Sequence, residues 1–376
     1  MIEKGYVWQE ELKNNLVSAE DLFQAELIAE KDVKTIAEII DKYPLNITDY
    51  YMKLIEKFDY SDPIYKMCVA SLKEDRHDGS LDVSGEAINT VDNGIQHKYK
   101  NTVLLLSTNV CAMYCRHCFR KRMVGLSEEE TLSFTEKAVA YVAEHPEVDN
   151  VLITGGDSFM NSNKVIESYL KGLSKIEHLK FIRFGTRLPV VMPQRIYKDG
   201  ELIDILSKYN KQKPLYVVTQ FNHPRELTLE AKMASEVLRE ARISVLHQSV
   251  MLAGVNDNVQ TLVDLFNGLI ENGISPYYLF QCRPIKGVEG YFTVPFTKGV
   301  EIVEEVRTRL SGVAKRFRYA LSHINGKMEI LGITQKGELL VKQHQAKDPK
   351  NLNKIFTVPL SDKTYWLPDD IEYNLL

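Results

Sequence analysis

Three cysteines in one short stretch, Cys111-Ala-Met-Tyr-Cys115-Arg-His-Cys118, are the residues of this chain best equipped for chemistry. Three thiolates hold a cubane [4Fe–4S] cluster and leave its fourth iron open, where four would close it. An open iron binds a small molecule and passes it an electron. Two other readings of the same residues stand beside this one. A zinc site needs a fourth ligand, for which His117 is the local candidate, and usually shows paired CxxC spacing. Buried inert thiols account for the residue type but give no reason for the spacing.

Other candidates follow along the chain. In Thr154-Gly155-Gly156-Asp157 two glycines let backbone approach a ligand, and the carboxylate can hydrogen-bond an ammonium; a plain turn with an Asp cap is the alternative. Arg116, Arg120, Lys121 and Arg122 crowd the cysteine loop. A guanidinium clamps a carboxylate bidentately, whereas Lys121 and Arg122 also read as a solvated basic helix start. Arg183, Arg187, Gln194 and Arg195 occupy a Pro- and Gly-containing loop where either anion binding or surface ion pairing fits. His223 and His247 read first as structural histidines. Lys327 follows the turn Ser322-His-Ile-Asn-Gly326. A desolvated lysine there can form a Schiff base with pyridoxal phosphate (PLP), although a Gly-Lys pair is more commonly exposed and inert.

The elements that position these residues are legible from periodicity. Residues 6 to 75 read as helical, with a capping-box start at Ser18-Ala-Glu-Asp21 and a break at Pro44. Residues 74–95 are polar and rich in Gly and Asp, an irregular boundary. From 103 onward, apolar runs at Val103–Thr108, Val151–Gly155, Phe181–Thr186, Leu215–Gln220, Ser244–Val250, Pro276–Cys282 and Phe317–Ser322 alternate with helical segments. That alternation predicts right-handed βαβ units and a parallel sheet, with chemistry gathered at the C-terminal strand ends. The expected organisation is an N-terminal helical region over 1–95, an α/β partial barrel over 96–327 and a short β extension over 328–376.

Composition sets the outer bounds. The 44% hydrophobic and 26% charged content is that of an ordinary globular protein. A net charge of -4 gives no electrostatic case for nucleic acid or an anionic membrane. No apolar run approaches a membrane span, and Met1-Ile-Glu-Lys-Gly-Tyr6 lacks a signal-peptide layout. Outside the motif only Cys68 and Cys282 remain, which argues for a reducing compartment, the cytoplasm.

The CxxxCxxC spacing after a strand resembles the signature of radical S-adenosylmethionine (SAM) enzymes. The series CAMYCRHCFRKR, ITGGDS, IRFGTRLPVVMPQRI, QFNHPREL, QSVMLAGVND and PYYLFQC, in this order, closely resembles the lysine 2,3-aminomutase family of PLP-dependent radical SAM enzymes. The likeness runs from Trp8 to about Lys327. It implies a partial (β/α)6-type TIM barrel, and three cofactors: a [4Fe–4S] cluster, SAM and PLP. By matched position it assigns Cys111, Cys115 and Cys118 to the cluster, and Gly155, Gly156, Asp157 and Gln248 to SAM. It assigns Lys98 and Tyr99 to PLP, Lys327 to the Schiff base, and Arg120 to the substrate carboxylate. The implied partners are a free amino acid, an electron donor such as flavodoxin or ferredoxin, and further copies of the chain.

Departures from the family pattern bear on the substrate. Lysine-specific members carry an Asp directly after the PYYxxQC run and another seven residues before the PLP lysine, and both hold the substrate's distal ammonium. This chain has Arg283 and Ala320 there. The exchange predicts a substrate other than lysine, an acidic one such as glutamate or aspartate paired with Arg283. Lysine itself, and a larger substrate such as a protein lysyl group, are the alternatives. A non-catalytic metal-binding regulator is a third. The Gly-rich run before the PLP lysine is reduced to Gly326, which implies a different PLP seating, and no Cys after Cys282 remains to bind a structural zinc.

Overall fold

The apolar runs from 103 onward become neighbouring strands because each is followed by a helix long enough to bring the chain back parallel. A computed structural model describes every residue except 1, 2, 4, 57, 58, 76–78, 133, 372, 373 and 376. Its thirteen strands lie in sequence order in one sheet. They are β1 (Thr90–Asp92), β2 (Ile95–Tyr99), β3 (Thr102–Thr108), β4 (Asn150–Gly155), β5 (Phe181–Gly185), β6 (Leu215–Thr219) and β7 (Ser244–Met251). There follow β8 (Ser275–Gln281), β9 (Arg318–His323), β10 (Gly326–Ile333), β11 (Glu338–Ala346), β12 (Ile355–Pro359) and β13 (Asn374–Leu375). Pairing is parallel from β3 to β9 and antiparallel on both flanks. The helix Phe296–Arg309 returns the chain for β9, so the parallel set has one strand more than a six-unit barrel.

Strand alternation gives the sheet two uses. Val103, Leu105, Val151, Ile153, Ile182 and Phe184 are fully buried in the main apolar core. Their neighbours of opposite parity, Leu104, Leu152, Thr154 and Arg183, line a cavity instead. Lining residues come from strands β2 to β11, so the sheet wraps around that cavity as a barrel does. Among the described residues no helix is long and apolar enough to cross a membrane.

The N-terminal region consists of short helices, with the Ser18–Asp21 capping box formed and the helix Val33–Lys42 ending before Pro44. It packs against the cysteine loop. Asn46 Nδ2 donates to the Cys111 carbonyl at 3.0 Å, and the amides of Tyr114 and Arg116 donate to the carbonyls of Asn46 and Met67 at 2.9 and 2.8 Å. Fully buried Glu74 binds Arg116 through both Nε and Nη2, and also the Lys121 ammonium. Burial works to raise the Glu74 carboxyl, but the two cations hold it below the ordinary glutamate value. Lys121 is therefore a buried ion-pair partner, not the solvated helix-start residue that its local sequence describes.

Replacing Glu74 with Gln strands two buried cations. The expected loss is about 3–5 kcal/mol, read as a lower urea midpoint at unchanged m-value. A midpoint equal to the wild type would show that the triad does not hold the loop.

Candidate active site

β3 delivers the chain into the cysteine loop, where Cys111 and Cys118 pack on an apolar patch of Leu106, Met123 and Val124. All three thiols are free of disulfides. Burial pushes Cys111 far above the ordinary thiol value and Cys118 up to about 11. Thiolates there need a cation to compensate them, which is what iron supplies. A lone zinc ion would draw its sulfurs to within about 4 Å of one another. Among the described residues, the one set of three metal-ligating side chains gathered within 4.8 Å is His97, His145 and Glu147, not the cysteines. His117 does not complete a zinc site either. Its Nε2 lies 3.2 Å from both Gln220 Nε2 and Asn222 Nδ2, its ring packs edge-on to Phe292, and burial holds it neutral. The donor set fits a cluster.

The glycines of the Gly155-Gly156-Asp157 turn make room for the chain itself. A side chain on Gly156 would sit 2.4 Å from the Val110 carbonyl oxygen, and one on Gly155 2.3 Å from that of Thr108. The turn is thereby pressed onto the start of the cysteine loop, with the Asp157 amide donating to the Val110 carbonyl at 2.9 Å. Asp157 is buried and accepts from the amides of Phe159 and Arg187 at 3.0 and 2.6 Å. Burial raises its carboxyl against those hydrogen bonds. Two of its roughly four lone-pair positions are used.

Beside the loop the barrel encloses a cavity of about 240 Å³. His117, Phe119 and Arg120 line it from the loop, Gln248 from β7, Lys98 and Tyr99 from β2, Arg283 from after β8, and Lys327 from β10. Ala320 is fully buried on β9, at the same parity as lining Ser322. Arg120 spends Nε and Nη2 on Glu86, at 3.0 and 2.7 Å, and Nη1 on Thr154 Oγ1 and the Gly155 carbonyl. Arg122 also binds Glu86, at 2.8 Å. Burial favours the neutral acid, yet the two guanidiniums hold Glu86 down to about 2.

The remaining cations of the cavity lack such partners. Arg283 lies 3.8 Å over the Phe119 ring, its Nη1 buried without a hydrogen bond, and burial brings it down to about 10. Arg183 binds Asn150 through Nη2 while its buried Nε is unpaired. Lys98 donates to the carbonyls of Ser84 and His323, and burial together with Arg283 pulls it down to about 7.

Lys327 owes its aim to Gly326, whose φ of +141° and contact with the Gln345 carbonyl exclude a side chain. Its Nζ stands 4.4 Å from the Tyr278 ring centroid and 5.4 Å from that of Phe280. Burial, then Arg183, Arg283 and Lys98, bring it down to about 7. A neutral amine amid unpaired cations suits an aldehyde cofactor that carries a phosphate, and PLP fits on that ground.

Sequence reading did not find Glu74, Glu86 or the network of Glu226 around Arg187. Glu86 lies in the polar stretch taken for a boundary, and its sole signal was the unmet counter-charge of the CFRKR cations. Arg195, expected in an anion site or a surface pair, is wholly buried against Asp199. His247 donates to or accepts from nothing but the Phe221 carbonyl among the described residues, and burial holds it down to about 4.

Comparison with known proteins places this geometry. The Radical SAM superfamily model matches residues 105–266. An L-lysine 2,3-aminomutase of Fusobacterium nucleatum is 38% identical over 310 residues, covering 82% of this chain and 72% of that one. A glutamate 2,3-aminomutase of Clostridioides difficile is 34% identical over 314 residues, with the same two coverages. A protein of Aquifex aeolicus, provisionally named an L-lysine 2,3-aminomutase, is 36% identical over 354 residues, 94% of each chain.

The depressed Lys327 amine has a direct readout. Labelling with an aldehyde and borohydride, mapped by peptide mass, is expected to rise at Lys327 through a midpoint near pH 7. Exposed lysines rise about three units higher. A Lys327 midpoint near that of the exposed lysines would contradict its desolvation.

Proposed function

The chain belongs to the lysine 2,3-aminomutase family of radical SAM enzymes, and from that membership we propose that it converts L-glutamate to its β-amino isomer. The observation that carries this reading is the cavity's charge. Lys98, Arg120, Arg183, Arg283 and Lys327 face a single carboxylate, Glu86, already saturated by Arg120 and Arg122. A phosphate, an α-carboxylate and a distal carboxylate match that surplus. A lysine ammonium would meet Arg283 as a like charge in a buried site and find no free acid, a penalty of several kcal/mol.

Of the two acidic amino acids, aspartate gains nothing from the shift. Moving its nitrogen from C2 to C3 regenerates aspartate, whereas glutamate becomes 3-aminoglutarate.

Cys111, Cys115 and Cys118 would hold the cluster, and Lys327 with Lys98 and Tyr99 would hold PLP. When bound, the cluster and SAM supply a radical that removes and returns hydrogen, and PLP supplies a carrier for the migrating nitrogen. Gly155, Gly156, Asp157 and Gln248 are the proposed SAM contacts, with the free lone pairs of Asp157 turned to its ammonium. Arg120 has one Nη2 hydrogen left for the α-carboxylate. Arg283 would take the distal carboxylate, satisfying its orphaned Nη1 and fixing the substrate's length. The apolar rings of Phe119, Tyr278 and Phe280 keep water from the reacting carbons. The reading carries with it a one-electron donor such as flavodoxin or ferredoxin, a cytoplasmic setting and a homo-oligomer.

The double variant Arg283→Asp, Ala320→Asp exchanges the cation and the methyl group for two acids. The ratio of kcat/KM for glutamate to that for lysine is expected to fall at least about a hundredfold, roughly 2.7 kcal/mol. An unmoved ratio, in a protein whose absorbance shows both cluster and PLP, would remove this account of specificity.

A further inference from the structure

Arg187 lies beyond the substrate cavity and has no part in the function proposed above. It follows β5, and its side chain is buried among three other parts of the fold. Nη1 donates to Cys115 Sγ at 2.8 Å. Nη2 pairs with Glu226 and reaches Tyr51 Oη at 3.3 Å, and Nε reaches the Gln220 carbonyl at 3.3 Å. Glu226 is itself fully buried and immobilised: Tyr51 Oη donates to it at 2.6 Å, and the amides of Asn222 and His223 donate to its other oxygen. The guanidinium is thus locked from behind with one edge on a cysteine sulfur.

Among the described residues this is the one cation that donates to any of the three thiols; Cys118 Sγ accepts from a neutral donor, the Arg120 amide at 3.3 Å. We propose that Arg187 is a positioning residue that sets the reduction potential of the cluster through Cys115, with Glu226 as the counter-charge that moderates it. Reduction adds one negative charge to the cluster. A fixed cation hydrogen-bonded to a ligand sulfur in a water-poor site favours that state, as hydrogen bonds and net charge do for iron–sulfur centres generally. Glu226 stands one guanidinium farther from the sulfur and opposes the effect more weakly. The potential therefore depends on which of the two charges is present, and the two substitutions move it in opposite directions.

The test is an EPR-monitored redox titration of the reconstituted protein without SAM. Glu226→Gln leaves the cation on Cys115 without its counter-charge, and the potential is expected to rise. The double variant Arg187→Met, Glu226→Gln removes both charges without orphaning either, and the potential is expected to fall. Each shift is expected to be about tenfold in the reduction equilibrium, about 59 mV for one electron. A purely structural role would move neither midpoint, or both the same way, and either result overturns the proposal. Should the double variant fail to take up a cluster, Glu226→Gln decides alone: a risen midpoint supports the proposal, and an unmoved or lowered one overturns it.

Discussion

The loop that carries the cysteines also carries Arg116, Arg120, Lys121 and Arg122, and burying four cations in eight residues demands counter-charge from elsewhere in the chain. Glu74 and Glu86 supply it from a stretch of irregular backbone, and Glu226 does the same for Arg187 on the opposite side of the loop. These pairs tie the N-terminal helices, the segment before β1 and the ends of β5 and β6 to one point. The position of the thiols follows from them. The loop itself has only a small apolar patch of its own, Leu106, Met123 and Val124.

The same pairings set the electrostatics of the cavity. Because Glu86 is consumed by Arg120 and Arg122, the interior keeps a surplus of positive charge, and the donors left over are those of Arg283 and Arg183. Repulsion within that surplus, added to burial, keeps Lys327 near neutrality. One arrangement of charges thus makes an amine nucleophilic and an anion welcome. The family supplies the reaction type, and the residues that differ from its lysine-specific pattern supply the preference among substrates.

Much of this was legible in the sequence where the signal is local. Period-two apolar runs followed by amphipathic stretches located β3 to β9, and the CxxxCxxC spacing located the thiols. Gly326-Lys327 could be read only through its resemblance, since a lysine after a turn says nothing of burial until the sheet closes over it. The partners of the buried cations left no local trace. Glu74 and Arg116 are 42 residues apart, and Arg187 and Glu226 are 39 apart. Such pairs are fixed by topology and not by any motif. The Gly155-Gly156 pair shows the converse: its composition announced a close approach, but the approaching group is the chain's own backbone at Thr108 and Val110.

The account's central claim is that the cavity selects a distal carboxylate. It is tested most directly by offering the anaerobically reconstituted, reduced protein equal amounts of L-glutamate and L-lysine with SAM and identifying the products by mass spectrometry. The charge of the cavity predicts 3-aminoglutarate as the accumulating product, with lysine left unchanged. Accumulation of β-lysine with glutamate unconsumed would contradict it, and would mean that Arg283 does not face the substrate.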